Sequence, residues 1–238
     1  MFSFLRCTAK RHADTRIAHR AAQTQSSVQM NEYLSLVSSW GKPVEGEVDS
    51  VTQAKRMVMM RIREIGEEGS TCLDLSGLSV TSLPPLPAHL VTLTLNGCRL
   101  LTGLPPLPVG LTHLYLRGCR SVKVLPSLPY GLKYLDVSGC SQLTLLTDKP
   151  NGVLPPHLIG LEMRDCPALR QLPDSLPSCL RYIIMNNCPS VIGLPSSLPP
   201  ELKYLFMVGC PLVTVLPRAR PDDALIIGFK PGPTATIL

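Results

Sequence analysis

From Leu83 onward one short pattern recurs, and it restricts the possible folds more than any other feature of the chain. Its copies read LPPLPAHLVTLTLNGCRLLTG, LPPLPVGLTHLYLRGCRSVKV and LPSLPYGLKYLDVSGCSQLTL, then, after a longer unit, LPDSLPSCLRYIIMNNCPSVIG and LPSSLPPELKYLFMVGCPLVTV. Six cysteines mark the period: Cys98, Cys119, Cys140, Cys166, Cys188 and Cys210, at spacings of 21, 21, 26, 22 and 22 residues. Within one unit the apolar positions are Leu111, Leu114, Leu116, Cys119 and Val122. The alternation around Leu114 and Leu116 is that of a short strand, with leucines pointing into a core and intervening residues pointing out. One such strand cannot bury its apolar side alone. Stacked neighbours, about 4.8 Å apart, build a continuous parallel sheet over a shared core.

These positions fit the leucine-rich signature L-x-x-L-x-L-x-x-N/C in every unit, with the closing apolar residue three places after the cysteine, as Val122 follows Cys119. The predicted fold class is therefore an α+β repeat: a leucine-rich repeat solenoid of short 21–22-residue units, its parallel sheet on the concave face. Units this short leave no room for a convex helix. The return path carries LPPLP or LPxSLP instead, where proline fixes φ and favours extended, polyproline-like backbone. This structural role accounts for most of the 24 prolines and is preferred over an SH3-ligand role for the PxxP motifs.

The chain divides into four parts. Residues 1–29, rich in Arg, Ala, Ser, Thr and Gln, are expected to be a disordered arm, readable as a mitochondrial presequence or an uncleaved export signal. Residues 30–70 read as a two-helix N-terminal cap. Tyr33, Leu34, Val37 and Trp40 fall at helical spacing before GKP at 41–43. A second helix is predicted from Ser50, where SVTQ fits a capping box, with Val51, Ala54, Val58, Ile62 and Ile65 as its apolar stripe and an end near Gly66 and Gly69. Met57, Met59 and Met60 read as core filler. Residues 71–217 are the repeats, opened by an atypical rung from Thr71. Residues 218–238 are a tail whose apolar stretch Leu225–Phe229 could close the open sheet edge. Two irregularities are candidate contact points: the insertion at 147–151, and Thr236-Ile237-Leu238, which resembles a PDZ-type C-terminal ligand.

Composition closes several other routes. The net charge of +6 is spread unevenly: residues 1–30 carry five Lys or Arg against one acid, residues 72–238 thirteen against nine. No basic cluster with interleaved aromatics argues for nucleic acid. No run of 18 apolar residues exists to span a membrane, and MFSFLRCTAKRHADTR lacks the apolar core of a secretory signal peptide. The nine cysteines contain no CxxC and no Cys/His spacing suited to zinc. Six of them occupy an inward repeat position, so buried thiols with weak S–H donors are expected, and a reducing compartment suits them. No GxSxG, HExxH, GxGxxG or P-loop is present, and the five histidines are scattered. The expectation is of a protein that is not an enzyme and carries no cofactor or metal.

A hairpin with a tryptophan, then VEGEVDSVTQAKRMVMMRI, then LDLSGLSVTSLPPLP and LPxLPxxLxxLxLxxC repeats resembles the bacterial type III secreted leucine-rich effectors of the YopM/IpaH type, over residues 30–217. The resemblance implies injection into a eukaryotic cell, with host cytoplasm or nucleus as the destination and a host protein as the partner. It also favours the export-signal reading of residues 1–29. Two departures stand out. The family usually places Asn where this chain has Cys. Its larger members also carry a C-terminal ubiquitin-ligase domain, whereas about 20 residues follow the last repeat here. Nothing in the chain carries that activity over, so any link to the ubiquitin machinery would run through a partner. Three readings follow: a non-catalytic translocated binder, the recognition part of a truncated or split ligase effector, and an endogenous protein of the bacterial cytoplasm. The repeats are also similar to terminal repeats of plant intracellular immune receptors, but those carry an upstream nucleotide-binding domain and this chain has no P-loop.

The outward strand positions supply the candidate site. One column holds Thr92, His113, Tyr134, Gly160, Tyr182 and Tyr204; the next Thr94, Tyr115, Asp136, Glu162, Ile184 and Phe206; a third includes Arg117 and Arg164. Aromatic residues and arginine dominate protein interfaces. Expected partner-binding residues are therefore His113, Tyr115, Arg117, Tyr134, Asp136, Glu162, Arg164, Tyr182, Tyr204 and Phe206. Lateral packing of large residues on a parallel sheet would explain any single tyrosine.

Overall fold

The computed structural model describes residues 30–35, 37–42, 46, 48–148 and 152–232. The N-terminal arm, Pro43, most of the 147–151 insertion and the Thr236-Ile237-Leu238 terminus lie outside the described residues.

Eight three-residue strands run in chain order across one sheet: β1 (Cys72–Asp74), β2 (Thr92–Thr94), β3 (His113–Tyr115), β4 (Tyr134–Asp136), β5 (Gly160–Glu162), β6 (Tyr182–Ile184), β7 (Tyr204–Phe206) and β8 (Leu225–Ile227). Every pairing is parallel and joins consecutive strands. The central residue of each strand points inward. Leu73, Leu93, Leu114, Leu135, Leu161, Ile183 and Leu205 form that column, each at most 1% exposed. Two residues beyond it runs a second inward column, Leu75, Leu95, Leu116, Val137, Met163, Met185 and Met207. Each fully buried Leu or Ile contributes about 1.5–3 kcal/mol of transfer free energy, and further buried columns, Leu90 to Leu202 before the strands and Leu101 to Val213 after the turns, complete the core. It is a leucine-rich repeat solenoid.

The six repeat cysteines form a third inward column, and their sulfurs tie the rungs together. Cys98 Sγ donates to the Leu75 carbonyl of the preceding rung at 3.1 Å, Cys119 to Leu95 at 3.0 Å and Cys140 to Leu116 at 3.2 Å. Cys166 donates to Val137 at 3.2 Å, and Cys188 and Cys210 to Met163 and Met185, each at 2.9 Å. Each thiol adds a donor to its carbonyl, although Leu95, Leu116 and Val137 also accept a backbone N–H within their own rung, and it fills the space of a small apolar group. None of the cysteines among the described residues is in a disulfide.

Each strand ends in a turn that needs left-handed backbone. Glycine takes it in most rungs, with φ of 76° at Gly118 and 73° at Gly139. In the fifth and sixth rungs Asp165 and Asn187 adopt φ of 55° and 58° instead. Asp and Asn tolerate this region better than other side chains, and here the Asn187 amide donates to Asp165 at 2.9 Å.

At the first edge lies the helical cap. A short helix, α1, covers residues 30–35 and 37, and α2 spans Asp49–Glu68. Val51, Ala54, Val58, Ile62 and Ile65 are buried, as the stripe predicts, and Ala54, Val58, Ile62 and Ile65 belong to the same core cluster as Leu73 and Leu75. Arg61 donates to the Asp74 carbonyl and the Tyr33 hydroxyl to the Pro85 carbonyl, pinning both helices to the first rungs. The Lys55 ammonium stands 5.8 Å from the Trp40 ring.

Three local expectations are corrected. Helix α2 starts at Asp49 with Val48 as its cap, and no side chain caps it, so the predicted Ser50 capping box is not formed. The Val48 carbonyl instead accepts from Val51 N–H at 2.9 Å, and Asp49 places a negative charge in the first turn. The methionine filling the cap is Met30, not the three in α2: Met60 is 46% exposed, and Met57 and Met59 are only half-buried. Gly66 lies inside α2 rather than at its end, and Gly69 terminates it in left-handed backbone. At the far edge, the apolar stretch of the tail continues the sheet as β8, paired with β7.

Candidate functional site

All ten predicted contact residues stand on the outer face of the sheet or its adjoining turns, because the register is unbroken. Thr92, His113, Tyr134, Gly160, Tyr182 and Tyr204 are direct neighbours in successive strands, as are Thr94, Tyr115, Asp136, Glu162, Ile184 and Phe206. The aromatics gather in two groups. His113 stacks on Tyr134 at 4.8 Å between ring centroids and meets Tyr115 at 6.3 Å; Tyr134 reaches Tyr182 at 6.4 Å. Tyr204 stacks on Phe206 at 6.3 Å near the other end.

Contact between Tyr134 and Tyr182 skips a rung, and Gly160 is the reason. A Cβ at Gly160 would run into the Tyr182 ring, so the missing side chain lets that ring lie across β5. The lateral packing expected of large residues on a sheet is thus present: His113, Tyr115, Tyr134 and Tyr182 are half-buried in one another. Tyr204 keeps 49% of its surface exposed.

Charges interleave with the rings. Asp136 and Glu162 are in register on adjacent strands, an arrangement of like charges that costs stability unless compensated. The Arg164 guanidinium answers at 3.2 Å from Glu162, and the Ser138 N–H donates to Asp136 at 2.8 Å. Burial, followed by the Glu162 charge, pushes the Tyr182 hydroxyl up to about 12. Burial also raises Tyr115, with Tyr134, Asp136 and Glu162 adding to it. Burial and then Lys133 hold His113 below the usual imidazole range, keeping it neutral at pH 7, with its Nδ1 2.7 Å from the Thr112 hydroxyl. On the flank, Arg181 pairs with Glu201 at 3.3 Å and Lys203 with Asp223 at 2.6 Å.

The third column splits by role. Asn96, Ser138 and Asn186 turn their side-chain oxygens to the backbone N–H groups of Arg117, Arg164 and Val208, at 2.9, 3.2 and 2.9 Å, and so serve the stack. Arg117 is exposed and makes no aromatic contact; it faces a groove along the turns that it shares with Arg164 and Arg120. Arg120 was not among the predicted residues. Its signal in the sequence is the contrast between RGCR in its own rung and SGCS in the next.

Among the described residues no three His, Cys, Asp or Glu side chains are grouped to hold a metal ion, and no helix is long and apolar enough to cross a membrane.

No family model and no curated protein sequence matches the chain. Solved structures do resemble it, at low identity. A Shigella effector leucine-rich repeat domain is 26% identical over 79% of this chain and 68% of its own, with a TM-score of 0.49. YopM from Yersinia enterocolitica WA-314 is 22% identical over 83% of this chain and 63% of its own, with a TM-score of 0.33. The leucine-rich repeat domain of the type III effector XopL is 17% identical over 90% of this chain and 92% of its own, with a TM-score of 0.43.

Proposed function

We propose that this chain is a non-catalytic leucine-rich repeat effector that is delivered by type III secretion and binds a host protein through its concave face. The observation that carries the binding is the in-register aromatic surface. His113, Tyr115, Tyr134 and Tyr182 form one packed group, Tyr204 and Phe206 a second, with Asp136, Glu162 and Arg164 between them. Pre-packed rings lose little side-chain entropy on binding, which is the property of interface hot spots. The exposed half of Tyr204 supplies apolar area, and the paired charges set register and exclude partners of the wrong sign. Delivery rests on the motifs of the cap and repeats described above.

The test is affinity capture from eukaryotic cytosol under reducing conditions, comparing the full chain with a folded Tyr134→Asp/Tyr182→Asp/Tyr204→Asp variant. A partner held by the natural sequence and lost by the variant is the expected result. Equal retention by both would place binding elsewhere on the molecule. Export of a reporter fused to residues 1–30 tests delivery separately.

A further inference from the structure

Beside the strands, the turns of the third to seventh rungs line a groove of about 780 Å³. Its floor is the fourth rung, where the turn consists of Ser138, Gly139 and Ser141 around the buried Cys140. The neighbouring rungs flank it, with Arg117 and Arg120 on one side and Arg164 and Asp165 on the other, beyond which the groove runs on past Asn187 and Pro189 to Gly209. Backbone bonds from Gly118 N–H to Ser138 O at 2.7 Å and from Gly139 N–H to Arg164 O at 2.6 Å lock these turns together. Two rung spacings therefore separate the arginine walls, about 10 Å, enough for one side chain to lie between them.

The wall charges do not cancel. Three guanidinium groups face the groove and one carboxylate, Asp165, lines it. Asp165 accepts a hydrogen bond from Asn187, and Arg164 shares its charge with Glu162 outside the groove. Among the described residues no ion pair or hydrogen bond engages the guanidinium of Arg117 or Arg120, whose only side-chain bonds run through their backbones from Asn96 and Ser141, and both residues are exposed. Two uncommitted guanidinium groups over a floor of serine and glycine favour one kind of group, a carboxylate accepting paired N–H bonds.

Resting on the concave face as the protein-binding surface, we propose that this notch takes an acidic side chain of the bound protein and anchors an acidic segment beside the aromatic columns. Arg117 and Arg120 supply the specific contacts, and Arg164 orients the carboxylate from the opposite wall.

The direct test is fluorescence anisotropy of a labelled decapeptide of glutamates and glycines against the full chain, with a glutamine-for-glutamate peptide as control. The acidic peptide should bind the natural sequence at least about tenfold tighter than its control, and Arg117→Gln/Arg120→Gln should abolish that difference. Both side chains are exposed, so the variant keeps the fold. Arg170→Gln/Arg218→Gln removes the same charge at exposed positions outside the groove and should leave binding within about twofold. Equal loss in the two double variants would reduce the effect to net charge and overturn the proposal, as would equal binding of the two peptides. A captured partner separates this inference from the reading beneath it. Loss of the partner from the tyrosine variant but full retention by Arg117→Gln/Arg120→Gln would keep the concave face and sink the notch. Retention by both variants would sink both.

Discussion

Cys140 shows how one residue serves two needs in this fold. It is fully buried, and its sulfur donates to the Leu116 carbonyl of the rung before. Replacing it with alanine removes a donor and leaves a small void. Cys140→Ala should lower stability by about 1–2 kcal/mol, read as a shift in the denaturant midpoint. The same ladder gives the fold an alkaline limit. Burial pushes the Cys119 and Cys140 thiols up to about 12, and hydrogen bonding to Cys166, then burial, does the same for Cys188. Because the folded values lie above the ordinary 9.0, the stabilisation is complete below pH 9 and is lost as pH rises toward 12. At pH 10 each of these thiols should cost about 1 kcal/mol of stability relative to pH 8, and titrating the denaturation midpoint across that range measures it. The cysteine positions were legible because their spacing keeps phase with the inward leucines. The tyrosine geometry was not: that Tyr182 lies across Gly160 depends on a side-chain rotamer, which periodicity does not encode.

At the scale of elements, the cap repeats this contrast. The apolar stripe of α2 was readable because helical spacing determines which side chains share a face. Its starting residue was not. The stripe packs identically whether the chain enters through Val48 or Ser50, and the capping motif at Ser50 is a local preference that packing overrode. Met30 was hidden for a related reason, since it precedes the apolar pattern and fills a space that only the folded hairpin creates. A Cβ at Gly66 would stand 2.5 Å from Met30 Cγ, so glycine here makes room for that side chain. Gly66→Ala should therefore destabilise by about 1–2 kcal/mol in the natural sequence, against its helix propensity. In a Met30→Ala background the sign should invert, to a gain of roughly 0.5–1 kcal/mol. A double-mutant cycle by chemical denaturation reads both. Absence of coupling would show that Met30 does not set the glycine.

The molecule as a whole is a stack in which a repeated inward pattern frees the outward positions to vary, so fold and site were legible to different degrees. Six in-phase units specified the sheet, its register and therefore the outward columns that Tyr134, Tyr182 and Tyr204 share. The register could not say which outward residues commit to the stack. Asn96, Ser138 and Asn186 do so through the next rung's backbone, while Arg117 points away to a groove whose second wall includes Asp165, a turn residue outside every column. Nor could it show that the aromatics divide into a packed group and a more open pair. That division defines the sharpest comparison on the surface. Tyr204 is 49% exposed on the concave face, and Tyr130 is 71% exposed on the rim, edge-on to His157 at 5.2 Å. Calorimetric titration of a captured partner against Tyr204→Asp and Tyr130→Asp sets the two surfaces directly against each other. The concave-face account predicts at least about tenfold weaker binding for Tyr204→Asp and a change within about twofold for Tyr130→Asp. Loss confined to Tyr130→Asp, with Tyr204→Asp binding like the natural sequence, would contradict it and move the site to the rim.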